Sequence, residues 1–349
     1  MKILLLPIAF LYHIILIIRH KLYDWHILKS KRFDVPVICV GNLALGGTGK
    51  TPHTEYLIGL LREHYRLATL SRGYGRHTKG FKTADESSTY KDLGDEPLQY
   101  FKKFPEVQVA VDKDRVEGVT RLLQSDMASQ VILLDDAFQH RRIEAGLNIL
   151  LTTYDKLYCD DCLVPVGTLR DVKSAAKRAD IIVVSKAPFN LKECDKKEAV
   201  RKLNPLPRQK VFFSTLGYEP FKAVNEAAKA IDPQSADCAL LFCGIADPQP
   251  LAKRMESWYP HFEMMTFADH HPYTENDVKK IMERVGQLQG EKKIVVTTEK
   301  DYARFINSPY LCQFESVPLY VAPVNISFFK EEEFKIEILN YVRKNSQHC

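Results

Sequence analysis

Residues 36–61 limit what this chain can fold into more than any other stretch. Pro36-Val-Ile-Cys-Val40 is short and rich in β-branched side chains, the composition of a strand buried on both faces. Gly41-Asn-Leu-Ala-Leu-Gly-Gly-Thr-Gly-Lys50-Thr51-Pro52 follows, and from Thr51 to Leu61 the apolar residues recur at helical spacing. Strand, glycine-rich loop, Lys-Thr and helix is the order of a phosphate-binding P-loop. Glycines at 46, 47 and 49 let successive N–H groups turn inward on an anion, and the helix start adds its positive dipole end. Ala44, Leu45, Gly46, Gly47, Thr48, Gly49, Lys50 and Thr51 are therefore the expected nucleotide cradle. Lys50 would reach the β- and γ-phosphates, and the Thr51 hydroxyl would hold Mg²⁺. The loop departs from the usual pattern at Ala44, where a glycine is customary.

A P-loop followed by more strands and helices implies an α/β fold. The expectation is a P-loop NTPase-like, mostly parallel sheet with helices on both faces, a smaller C-terminal α/β domain, and an N-terminal apolar helix. Strands are expected at 67–70, 107–111, 131–134, 147–152, 181–184 and 211–215, and again at 238–243, 263–267 and 294–297. The polar stretch from Phe81 to Phe104 reads as irregular, with Gly94-Asp-Glu-Pro97 as a turn. Ala230 to Asp237 reads as a linker. The expected division is an N-terminal helix over 1–25, a P-loop domain over 26–232, and the smaller domain with a C-terminal helix over 233–349.

Composition narrows the class further. Lys plus Arg number 49 against 44 Asp plus Glu, and the net +5 is spread along 349 residues, so nucleic acid is not an expected partner. Contact with an anionic membrane surface is compatible with it. Eight scattered cysteines do not make a disulfide framework in a chain this long and point to a reducing compartment. Cys159-Asp-Asp-Cys162 has half the spacing of a zinc site but no second half.

The N-terminus is the second unusual segment. Ile3 to Ile18 is apolar apart from His13, and Arg19, His20 and Lys21 follow. Sixteen helical residues span roughly 24 Å, short of the ~30 Å hydrocarbon core. A signal peptide would carry its basic residues first and end in small residues, which this segment does not. A helix lying in the membrane interface is the favoured reading, ahead of a short transmembrane anchor or a buried packing helix. The basic residues after it place the body on the cytosolic side.

Val131-Ile-Leu-Leu134 ending in Asp135-Asp136 is the Walker B arrangement, whose acid holds Mg²⁺ opposite the P-loop Thr. Ser71-Arg-Gly-Tyr-Gly-Arg76 lies at a strand's C-terminal end, where open α/β sheets bind ligands. Ser185-Lys-Ala-Pro188 lacks the Asp of guanine-specific sites and favours ATP.

Together the segments resemble the lipid A 4′-kinase family. The resemblance rests on residues 40–52, Ser71–Arg76, Gly94–Pro97, Asp135-Asp-Ala-Phe-Gln-His140, Phe267-Ala-Asp-His-His271 and Thr297-Thr-Glu-Lys-Asp301, in the family's order. It implies transfer of the γ-phosphate of ATP, with Mg²⁺, to the 4′-hydroxyl of a tetraacyldisaccharide 1-phosphate. The product would be lipid IVA, made by a monomer at the cytoplasmic face of the bacterial inner membrane. It implies Asp95 as the base and His270 as its helper, with Lys50 completing the catalytic set. Asn42, Arg72, Tyr74, Arg76 and Arg170 are implied near nucleotide or substrate. Asp95 and His270 fall in different expected domains, so domain closure is expected to unite them. The family's Leu-Arg-Glu-Pro is Leu169-Arg-Asp-Val172 in this chain, which leaves any role of Asp171 in doubt. The rival reading is a ParA/Mrp-like ATPase acting through a partner at the membrane. Its loop carries an extra Lys where this chain has Leu45.

Overall fold

β-branched and leucine residues in unbroken runs build the sheets. The structure is a computed structural model that describes residues 5–346; residues 1–4, which begin the apolar segment, and 347–349 lie outside the described residues. A long helix, Leu6–Asp24 (α1), comes first. Val37–Asn42 (β1), Lys50–Leu61 (α2), Leu67–Ser71 (β2), Lys82–Thr83 (β3), Tyr90–Leu93 (α3), Asp95–Lys103 (α4) and Gln108–Val111 (β4) follow. Then come Arg115–Gln124 (α5), Val131–Asp135 (β5), Leu147–Thr153 (β6), Ile181–Ser185 (β7), Glu193–Leu203 (α6) and Lys210–Tyr218 (β8). The remainder is Lys222–Ala223 (β9), Glu226–Lys229 (α7), Cys238–Cys243 (β10), Gln249–Trp258 (α8), His261–Thr266 (β11) and Glu275–Gln287 (α9). Lys293–Thr298 (β12), Glu299–Phe305 (α10), Leu319–Ala322 (β13), Val324–Phe328 (β14) and Glu331–Ser346 (α11) complete it.

A nine-stranded sheet has the order β14-β8-β7-β6-β1-β5-β2-β4-β3. It is parallel except at its two edges, where β14 and β3 run antiparallel. β1 is central and buried at every residue. Val37 and Cys39 face one layer with Leu16 of α1, Val119 of α5 and Leu203 of α6. Ile38 and Val40 face the other, with Leu57 and Ile58 of α2, Tyr100 of α4 and Ile338 of α11. A five-stranded sheet, order β11-β10-β12-β13-β9, carries α7 and α8 on one face and α9 with α10 on the other. Loops at the C-terminal ends of both sheets face each other, where open α/β sheets hold ligands.

A single cut at residues 232/233 does not describe these sheets. β9 already pairs with β13 in the smaller sheet, whereas β14 and α11 return to the larger one. The reason is burial. Phe334, Ile338 and Val342 of α11 are almost fully covered, and only the larger sheet offers them an apolar face.

The expected turn at Gly94–Pro97 is a helix start. Gly94, at φ 92°, ends α3 and begins α4. Asp95 and Glu96 complement the positive dipole end. Pro97 costs little in a first turn, where its missing N–H has no intrahelical partner.

α1 packs along one stripe only. Leu16, His20 and Tyr23 are buried, whereas Ile8, Phe10, Leu11, Ile15 and Ile18 are exposed. A wholly buried packing helix is therefore not what forms. The inner stripe is tied by polar contacts: Tyr12 Oη donates to Arg170 O at 2.9 Å, Arg19 to Gln139 O at 2.8 Å, and His20 Nε2 meets Asp171 Oδ1 at 2.6 Å.

Candidate active site

The P-loop is held open from behind. Gly46 and Gly49 take φ of 103° and 84°, a region that side chains resist. Leu45 N donates to Thr168 O at 2.7 Å and Ser185 Oγ to Thr48 O at 2.8 Å. Asn42 Nδ2 donates to Thr48 Oγ1 at 2.8 Å. The loop's outward N–H groups at the start of α2 are left for an anion. Ala44 bridges Leu169, and Leu45 is exposed at the rim. His53, one turn into α2, is buried between Gly49 O and Ser214 Oγ, and that burial lowers it to about 4, so it braces the loop as a neutral ring.

The two acids after β5 differ sharply in surroundings. Asp135 is buried; its Oδ2 accepts from Tyr100 Oη at 3.2 Å, while its Oδ1 has no protein partner. Burial, then the charge of Asp136, raises the Asp135 carboxyl to about 6. Asp136 sits at φ 49°, 3.8 Å from Lys50 Nζ, and is gripped by both terminal nitrogens of Arg170. Burial would raise the Asp136 carboxyl as well, but Lys50 and Arg170 outweigh it and hold it below the usual range. Arg170 also donates to Asn42 Oδ1 at 2.6 Å, joining the strand before the loop to the acid pair.

A buried, unpartnered carboxylate oxygen opposite a P-loop hydroxyl is the donor set that suits a divalent cation. Asp135 offers such an oxygen at the end of β5, level with Val40 of β1, the strand that leads into the P-loop and Thr51. Asp136 is already neutralised by Lys50 and Arg170, so it is placed less directly. Cys159 and Cys162 are free thiols, with Cys162 exposed.

Asp95 reaches the site because two backbone segments touch. A Cβ on Gly73 would stand 2.6 Å from Leu93 O, and one on Gly94 2.8 Å from Tyr74 O. Glycine at both places lets the 71–76 loop press against the start of α4. Asp95 is buried, and its Oδ2 lies 2.7 Å from His270 Nδ1 and 2.8 Å from Arg304 Nε. His270 stands at φ 61°, and the Tyr74 ring lies 5.4 Å from its own. Asp95, at the start of α4 beside the larger sheet, and His270, in the loop after β11 of the smaller one, are already in contact. No closure is needed to unite them.

The other expected residues separate. Arg72 and Tyr74 are exposed at the mouth of the site. Arg76 is occupied by the backbone, donating to Gly80 O at 2.7 Å and Val111 O at 3.4 Å, which braces the loop rather than offering its fork to a ligand. Asp171 is wholly buried and receives His20 of α1, with Arg178 at 3.6 Å, so it anchors the N-terminal helix.

Sequence reasoning missed several residues. Arg304 and Lys300 converge on Asp95 and His270 from α10. Lys103 bridges Glu55 of α2 and Glu299 of α10 at 2.7 and 2.8 Å. Arg115 is buried with Nε and one terminal nitrogen unpaired, close enough for its charge to be felt by His140 and the acid pair. The Thr297–Asp301 segment contains Glu299 and Lys300 without marking a role for either, and Lys103, Arg115 and Arg304 lie outside every motif.

The family model for tetraacyldisaccharide-1-P 4′-kinase matches residues 1–343 of the chain. A tetraacyldisaccharide 4′-kinase of Bacteroides thetaiotaomicron is 43% identical, covering 99% of this chain and 94% of that one. The protein of the same name in Flavobacterium johnsoniae is 45% identical, over 98% and 97%. The crystal structure of LpxK from Aquifex aeolicus in complex with ATP is similar over 98% of this chain and 99% of that one, with TM-score 0.74 and 27% identity.

Proposed function

The chain belongs to the tetraacyldisaccharide-1-P 4′-kinase family, and on that premise we propose how its residues carry out the reaction. The enzyme transfers the γ-phosphate of ATP to the 4′-hydroxyl of a tetraacyldisaccharide 1-phosphate. The partner-driven ATPase reading is dropped, because the family match runs through almost the whole chain.

Asp95 accepts the hydroxyl proton as the 4′-oxygen bonds to the γ-phosphorus and the bond to the bridging oxygen of ADP breaks. The observation that carries this assignment is the doubly held carboxylate: Asp95 is buried, yet paired with His270 and Arg304. Burial would raise it; the hydrogen bond from His270 and the charge of Arg304 outweigh that and hold it below the usual carboxylate range. It is therefore ionised at neutral pH. A weak base suffices where the transition state is loose and the proton leaves late. Lys50 and the loop N–H groups hold the β- and γ-phosphates, and Arg170 with Asn42 keeps Asp136 beside Lys50. Thr51 and Asp135 would hold Mg²⁺, which when bound neutralises phosphate charge. Arg72 and Tyr74 line the acceptor's path.

The exposed stripe of α1 lies on the cytosolic surface of the inner membrane and brings a lipid-borne sugar to the loop. A mostly apolar helix docked by polar contacts along one side and bare leucine, isoleucine and phenylalanine on the other supports this.

The test is transfer of label from γ-labelled ATP to tetraacyldisaccharide 1-phosphate. The parent protein should label the lipid. Asp95→Ala should lower turnover by at least ~10² while ATP affinity changes little. Absence of transfer by the parent would overturn the activity, and loss of ATP binding in Asp95→Ala would overturn its role as base.

A further inference from the structure

The Thr297–Asp301 segment has no part in the phosphate cradle, the acid pair or the base, yet it reaches the neighbour of the base through Lys300 and the P-loop helix through Glu299 and Lys103. It closes β12 and opens α10, with Thr298 accepting from Asp301 N at 3.1 Å. Lys300 Nζ lies 2.9 Å from Glu96 Oε1 and 3.3 Å from His270 Nε2. Asp301 is wholly buried and accepts from Gly244 N and Tyr273 Oη, each at 3.0 Å. One turn on, Arg304 is 3% exposed and uses its fork in two directions. Nε donates to Asp95 Oδ2 at 2.8 Å, and one terminal nitrogen donates to Asp301 Oδ1 at 2.7 Å and Gly244 O at 2.9 Å. Both partners of Asp95 thus take Oδ2, and among the described residues none takes Oδ1.

We propose that Arg304 is a positioning residue for the phosphotransfer, gripping Asp95 by Oδ2 so that Oδ1 stays free for the acceptor hydroxyl. Lys300 supports the same arrangement through His270. An ammonium has only N–H to offer, so His270 Nε2 accepts and the ring proton sits on Nδ1, where it donates to Asp95. In that tautomer His270 orients the carboxylate and does not receive its proton.

The guanidinium matters for its shape as well as its charge. Its planar fork holds Asp95 on Nε and Asp301 on a terminal nitrogen at a fixed angle, a geometry that the point charge of an ammonium does not impose. Arg304 comes from the smaller sheet and Asp95 from the larger, so this contact also fixes the cleft width at the point of reaction.

The proposal rests on the reading of Asp95 as base, and the experiment separates the two. Arg304→Lys, Arg304→Gln and Asp95→Ala are assayed for kcat, lipid KM and pH profile, with ATP affinity and Tm measured alongside. Arg304→Lys should keep the charge and lose the fork, lowering kcat about tenfold with KM nearly unchanged. Arg304→Gln should lower kcat further and move the acid limb of the profile up by about one pH unit, because a base that has lost its cation is protonated sooner. If Asp95→Ala is inactive while a folded Arg304→Lys keeps parental kcat, the proposal falls and the base reading stands. The proposal falls equally if only Tm changes. If Asp95→Ala remains active, the base reading falls and takes the proposal with it. Should Arg304→Gln fail to fold, the kcat of Arg304→Lys decides alone.

Discussion

Glu55 lies one turn beyond Thr51 on the P-loop helix, buried, and shares the single ammonium of Lys103 with Glu299. Two carboxylates with one cation leave one acid in surplus. Burial, then the charge of Glu299, pushes Glu55 up to about 7, and Gln99 donates to it at 2.8 Å. In the unfolded chain Glu55 releases its proton near 4.5; in the fold it keeps it to about 7. The folded state therefore binds the extra proton, and stability falls as pH rises through that window. Glu55→Gln should leave Tm unchanged at pH 5 and raise it by a few degrees at pH 8, the relief amounting to at most about 3 kcal/mol. A Tm gain equal at both pH values would sink this account. At this scale the sequence is legible where chemistry is local. Lys50, Thr51 and Asp135 follow from spacing along the chain. Asp95 and His270 have no local signature, and only the resemblance to a family singles them out. Lys103, Glu299 and Arg304 meet Glu55, Lys103 and Asp95 only through the fold, so spacing along the chain marks none of these contacts, although Glu299 lies inside a recognised segment.

Two helices carry the functional argument at the next scale. α4 reads as a turn because glycine and proline flank its acids, yet it presents Asp95 to His270, Gln99 to Glu55, Tyr100 to Asp135 and Lys103 to Glu299. One element thus sets Asp95, the acid pair and the P-loop helix at fixed separations. α1 was legible as apolar, but not its division into a docked stripe and a bare one, which depends on Asp171 and Gln139 waiting across the chain. Deleting α1 would strip Asp171 of its buried partner, so outer-face substitutions test membrane contact more cleanly. Phe10→Ser, Ile15→Ser and Ile18→Ser together should reduce cosedimentation with anionic vesicles at least tenfold, since each exposed side chain offers roughly 1–2 kcal/mol on burial. Tm should stay within a degree or two. Unchanged cosedimentation would remove α1 as the membrane contact.

On the scale of the molecule, the order of strands was readable from the chain but their allegiance was not. Each apolar run announces a strand; which sheet it joins depends on the face left uncovered, and α11 needed the larger sheet. Ending the chain after residue 323 should expose the β8 edge together with the apolar faces that Phe328, Phe334 and Ile338 cover. The expected result is aggregation or a Tm lower by 10 °C or more, read by thermal melting of the soluble fraction, while a soluble chain of parental Tm would contradict the topology. The same return of the chain has a consequence for synthesis. β8 is made by residue 218, but its neighbour β14 arrives only at residue 324. At about 5–20 residues per second the ribosome leaves that edge unpaired for roughly 5–20 s. During this interval β10, β11 and β12 can pair with one another, but β13, which joins β9 to them, is itself complete only at residue 322, so both sheets wait for the last strands of the chain. Nascent chains stalled between those two positions are the ones that need a chaperone to shield an open β-edge.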